Sequence, residues 1–150
     1  MVTYDASNNV VDTAFAYSDM DILTPQQEAP FKLMLEQPAG YDHYNIQVAF
    51  SDTENSPYTG LTIQGVTSHL GSYGYYYING EVVNTGTEAA TFVKLTAAMY
   101  DSTGKIVDTD FTYTDPSDLS SGQTAPFEFM IDTEDLPGII DNYELQVQCM

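Results

Sequence analysis

The sequence predicts an all-β protein: an antiparallel, immunoglobulin-like β-sandwich, with a second, incomplete copy of the same unit at the N-terminus. Three observations carry this. Short runs alternate apolar and polar residues, the period of a half-buried strand. Clusters of Gly, Asn, Asp, Ser and Pro separate the runs. The chain also matches itself.

The longer unit reads as six strands. Leu61 and Ile63 begin the first, and Gly65-Val66 breaks its parity as a bulge would. Tyr76, Ile78, Gly80 and Val82 form the second inward row, and Val93, Leu95, Ala97 and Met99 the third. Val107, Thr109, Phe111 and Tyr113 alternate with Asp108, Asp110 and Thr112. Phe127, Phe129 and Ile131 alternate with Glu128 and Met130, and Tyr143, Leu145 and Val147 with Glu144 and Gln146. Turns are expected at Asn84-Thr85-Gly86, Asp101–Gly104, Ser120-Ser121-Gly122 and Pro137-Gly138. No window has helical spacing beyond a single turn near 116–119 or 132–136.

Residues 4–35 align without gaps to residues 100–131. Tyr4-Asp5, Val11-Asp12-Thr13, Phe15, Tyr17, Leu23, Gln27, Ala29-Pro30-Phe31 and Met34 all recur. After a three-residue insertion, Asp42–Val48 matches Asp141–Val147. The N-terminal copy lacks the lead-in that residues 59–99 give the other. The organisation is therefore a truncated unit at 1–50, a linker at 51–58 and a complete unit at 59–150.

The chain has 150 residues and a formal charge of -19, with 22 Asp+Glu against 3 Lys+Arg. At 43% apolar and 13% aromatic it can form a core, unlike a disordered acidic tail. Such a surface repels phosphate backbones and anionic bilayers, so neither nucleic acid nor membrane insertion is expected. Few cations and many acids suit a salty medium. No apolar run is long enough to span a bilayer. The opening residues lack the basic and apolar stretches of an export signal, so the chain is either cytoplasmic or cut from a longer precursor. Cys149 is the single cysteine, which excludes an internal disulfide and leaves a semi-buried thiol or an intermolecular bridge.

Gly80-Glu81-Val82-Val83-Asn84-Thr85-Gly86 resembles a signature of many extracellular sandwich domains. Ala97-Ala98-Met99-Tyr100-Asp101 stands where the FxLYD family carries its name motif, with Ala and Met in place of Phe and Leu. Leu119–Phe127 resembles that family's L-x-x-G-x-x-x-P-F segment; the N-terminal copy has Gln26 where the Gly stands. The chain thus resembles FxLYD domains over about 59–148, and in part over 1–50. The resemblance implies an Ig-like module of secreted or surface proteins, often in tandem, with no catalytic residues to carry over.

In the truncated unit, strands at roughly 1–5, 9–18, 29–36 and 44–50 would carry apolar rows with nothing to close over them. The rows are Val11, Phe15 and Tyr17; Phe31, Leu33 and Leu35; Tyr44, Ile46 and Val48. Leaving them wet would cost on the order of 10 kcal/mol. Three arrangements avoid this. The missing strands lie upstream in a longer array, another chain donates them as in fibre assembly, or Leu61–Val66 folds back over the gap.

Chemistry is sparse. His43 and His69 lie in different units with no nucleophile motif beside them, and phosphate-binding and zinc-protease motifs are absent, so no enzyme is expected. Calcium favours clustered acids. Asp132, Glu134 and Asp135, and Asp115 with Asp118, are candidate ligands; Asp19 and Asp21 repeat the second cluster, and solvated loops are the alternative. Tyr73, Tyr75 and Tyr77 would share one strand face, either covering the sheet, stacking on sugar rings or contacting a partner. Tyr44 and Tyr143 are candidate corner tyrosines or core-face residues. The expected function is a structural or assembly module partnered by its own copies or by neighbouring repeats, with a carbohydrate- or calcium-binding module as the alternative.

Overall fold

The computed structural model describes residues 1–149. The described residues form nine strands and a single 3-10 turn at Ser72–Gly74. The chain divides into two compact units, one of Met1–Ser18 with Phe31–Glu54, the other of Asp19–Pro30 with the described residues from Asn55 onward. The sequence places all of 1–50 in one unit; residues 19–30 instead group with the larger one.

The larger unit is a β-sandwich of two three-stranded antiparallel sheets. β4 (Leu61–Leu70), β5 (Tyr75–Asn84) and β8 (Thr124–Asp132) form one, in the order β4-β5-β8. β6 (Lys94–Tyr100), β7 (Ile106–Tyr113) and β9 (Asn142–Gln148) form the other, in the order β7-β6-β9. Ile78 and Val82 from β5, Phe127, Phe129 and Ile131 from β8, and Leu95, Ala97 and Met99 from β6 build the core. The alternation of β8 is complete: each odd-numbered residue from Ala125 to Ile131 is buried and its neighbours are exposed. The bulge expected at Gly65-Val66 is present, where the β4/β5 register shifts between Gln64 and Thr67 and Gly65 takes φ +62. β4 pairs with β5 over Leu61–Gln64 and Thr67–Leu70.

Parity fails in β7. Val107 joins the core, but Phe111 and Tyr113 are half exposed. The register between β6 and β7 shifts between Met99 and Tyr100. This extra residue turns Val107 inward and moves Thr109, Phe111 and Tyr113 opposite Ala98, Thr96 and Lys94, on the outer face. There Phe111 packs edge-on against Tyr113, under the Lys94 ammonium at 5.9 Å.

Residues 19–30 cover part of that outer face. The Asp21 carboxylate accepts from Gln148 Nε2 (3.1 Å) and lies 3.4 Å from Lys94 Nζ, while Asp21 N–H donates to Gln148 Oε1 (3.2 Å). Gln27 Nε2 donates to Gln146 Oε1 (2.7 Å), and Gln146 Nε2 to the Glu28 carbonyl (2.9 Å). Thr109 donates to the Asp19 carboxylate (3.0 Å), and Met20 is buried. These bonds satisfy polar groups as the loop excludes water from them.

The smaller unit is one three-stranded antiparallel sheet, β1 (Val2–Tyr4), β2 (Val10–Thr13) and β3 (His43–Asn45), in the order β2-β1-β3. Its strands are shorter than the sequence suggests, and residues 29–36 form none. A lone strand cannot satisfy its own N–H and C=O groups, so alternation without an adjacent strand does not suffice.

Candidate functional site

Each unit contains a ladder with the same pairing pattern. In the larger unit Ala98, Met99 and Tyr100 pair with Thr109, Asp108 and Ile106 on one side, and with Glu144, Tyr143 and Asn142 on the other. In the smaller, Val2, Thr3 and Tyr4 pair with Thr13, Asp12 and Val10, and with Asn45, Tyr44 and His43. These are the aligned residues, and the register shift falls at the same step, between Thr3 and Tyr4. The turn that follows is also the same. Asp101 Oδ1 accepts from Thr103 N (2.9 Å) and Lys105 N (3.0 Å); Asp5 Oδ1 accepts from Ser7 N (2.9 Å) and Asn9 N (2.8 Å). Gly104 (φ +80) closes one turn and Asn8 (φ +61) the other. The hydrogen bonds these carboxylates accept, first from the Thr103 side chain and from the Asn9 side chain respectively, hold both below the usual aspartate range.

What surrounds the ladder differs. In the larger unit Phe127, Phe129 and Ile131 are sealed against the core by β5. Their aligned residues are Phe31, 44% exposed, and the half-buried Leu33 and Leu35. Val147 packs on the core, whereas its counterpart Val48 is 81% exposed. Ile46 and Tyr44 are exposed where Leu145 and Tyr143 pack on the core. Phe15 and Tyr17 are bare too, but they match Phe111 and Tyr113, which also face outward. Phe15 and Tyr17 both lie beyond the end of β2 at Thr13. The candidate site is the two apolar rows whose aligned counterparts are packed, Phe31, Leu33 and Leu35 in one and Ile46 and Val48 in the other.

The remaining sequence candidates do not converge. Asp132 Oδ1 caps Glu134 N–H (3.0 Å), and Asp118 Oδ1 accepts from Phe92 N–H (3.0 Å). Asp115 and Asp135 are exposed loop residues. Among the described residues no group of three or more Asp, Glu, His or Cys is placed to hold a metal ion. Tyr73 lies in the 3-10 turn at φ +64, outside β5, so the expected row of three shrinks to Tyr75 and Tyr77. Tyr77 stacks on His69 at 5.2 Å, and Tyr4 stacks on His43 at 5.1 Å, which occupies both histidines with ring contacts. Tyr143 packs on the core as a strand residue. Cys149 is half-buried against the core, and burial pushes its thiol pKa up.

Sequence reasoning missed the cluster around Asn84. Its side chain is fully buried. Oδ1 accepts from Tyr58 Oη (2.8 Å) and Gly86 N (3.0 Å), and Nδ2 donates to the carbonyls of Glu88 (2.7 Å) and Leu119 (2.9 Å). A Cβ at Gly86 would collide with the Tyr58 hydroxyl. The spacing of Asn84 and Gly86 is thus a device for closing the sandwich end, with Leu119 bridged to Ala90 beside it.

No protein-family model matches the chain, and no curated protein matches it. Among solved structures, it is similar to a DUF1425 family member from Shewanella sp. pv-4, at 15% identity over 58% of this chain and 75% of that one, with TM-score 0.42. It is also similar to the Campylobacter jejuni protein cj0090, at 12% identity over 65% of this chain and 94% of that one, with TM-score 0.40. No helix among the described residues is long and apolar enough to cross a membrane.

Proposed function

We propose that the protein is a non-catalytic structural or assembly module of an extracellular or surface array, and that its smaller unit is an incomplete copy of the larger one. That unit is completed by strands belonging to neither unit described here. One observation carries the reading: equal ladders, but Phe31 and Val48 bare where Phe127 and Val147 are packed. Covering five large apolar side chains is worth on the order of 10 kcal/mol, enough to drive stable association. The acidic, lysine-poor surface and the likeness of Gly80–Gly86 and Leu119–Phe127 to extracellular FxLYD segments support the setting.

Hydrogen exchange on the monodisperse chain tests this. Amides at 31–36 and 46–48 exchange at least about a hundredfold faster than those of β8 and β9, because ladder protection follows local opening. Equal protection in a strict monomer would overturn the reading. A second reading, sugar binding, has one observation in its favour: Tyr73 is 96% exposed at the tip of the β4–β5 connection. Glycan-array binding lost on Tyr73→Ala would establish it.

A further inference from the structure

Resting on the reading above, we infer the chemistry and register of the missing partner: an antiparallel strand of the β5 type, from a separate polypeptide segment, that pairs along residues 31–36 with glycine opposite Phe31. In the larger unit β5 pairs with β8 so that Gly80 faces Phe127, Ile78 faces Phe129 and Tyr76 faces Ile131. The aligned residues of the smaller unit are Phe31, Leu33 and Leu35, and 31–36 lies in no ladder. Glycine at the first of these positions is a steric requirement. A Cβ on Gly80 would stand 2.7 Å from Phe127 Cζ and 2.9 Å from Cε1, closer than the buried ring allows. The smaller unit keeps phenylalanine there, so the occupant must leave the same space. Apolar residues two and four positions before that glycine cover Leu33 and Leu35.

The chain's own β5 is a poor source. It is the central strand of its sheet, hydrogen-bonded on both edges, with Ile78 and Val82 fully buried. Donating it to another copy would first open the larger unit.

The test uses the full chain and a fluorescein-labelled peptide with the sequence of Tyr75–Asn84. Fluorescence anisotropy gives saturable binding, and exchange of amides 31–36 slows in the complex. The same peptide carrying Gly80→Val binds about tenfold weaker or less well still, while Glu81→Thr, which points away from the core row, leaves affinity within about twofold. No binding up to about 1 mM, equal binding of the Gly80→Val peptide, or protection falling on β8 instead of 31–36 overturns the inference. So does a dimer in which the chain's own β5 occupies 31–36. If amides 31–36 are protected before peptide is added, the functional reading fails. If they are open and the peptide does not bind, only the partner inference fails.

Discussion

Changing Asn84 to Asp replaces one buried nitrogen by oxygen and leaves the volume alone. The new oxygen faces the Glu88 and Leu119 carbonyls, at the 2.7 and 2.9 Å now held by Nδ2–H donors. A carboxylate cannot donate there and must take up a proton to fold. In the protonated form it regains one of the two bonds, so the loss at low pH is about 1 kcal/mol. Above the ordinary aspartate range the unfolded chain releases that proton while the folded chain keeps it. The penalty then grows by about 1.4 kcal/mol per pH unit. Between pH 5 and pH 7 the difference between parent and Asn84→Asp should widen by about 2.7 kcal/mol, read from urea midpoints and m-values followed by far-UV circular dichroism. Asn84→Ala, which removes all four bonds without adding an acid, should cost about 3 kcal/mol at both pH values. A pH-independent penalty for Asn84→Asp, or one below about 0.5 kcal/mol at pH 7, would refute this account of the cluster.

Three further outcomes follow from other parts of the molecule. The Asp101 carboxyl is held below its usual range by the hydrogen bonds it accepts, so its contribution is present above the unfolded value and lost as pH falls through the folded one. Asp101→Asn should keep the turn but remove this acid-limb dependence, seen as pH-insensitive amide shifts at Thr103 and Lys105; unchanged titration of those amides would count against it. Gly122 sits at φ +76 in the position that Gln26 occupies at φ +72, so Gly122→Gln should destabilise by about 1 kcal/mol and Gln26→Gly should stabilise by somewhat less. Urea midpoints moving the other way would exclude a backbone origin. With 22 acids against 3 lysines, raising sodium chloride from about 0.1 M to about 1 M shortens the screening length from roughly 10 to 3 Å and should raise the melting temperature. A fall would show that self-repulsion is not limiting.

Most of the larger unit was legible because β8, β6 and β5 announce their inward faces by period two, and Gly65 marks its bulge. The outward turn of Phe111 and Tyr113 was not, because the shift opposite Met99-Tyr100 carries no glycine or proline to mark it. Residues 29–36 have the alternation of a strand, but pairing is a property of two segments, and 29–36 joins no ladder. The docking of 19–30 depends on Gln27, Gln146, Asp21 and Gln148, far apart in sequence and without a periodic signature. Of the candidate site, the alternation of Phe31, Leu33 and Leu35 and of Ile46 and Val48 was legible in the sequence.

The matched ladders have a consequence for refolding. β1 and β6 offer their neighbours the same pairing rules over three residues, down to the displaced step, so β3 can dock on β6 and β9 on β1 without violating either pattern. The four residues by which β6 extends beyond this shared segment, Lys94–Ala97, favour the right partner by pairing with the full length of β9. A chain diluted from denaturant therefore has a built-in decoy, and shortening β9 should increase the fraction caught in the crossed arrangement.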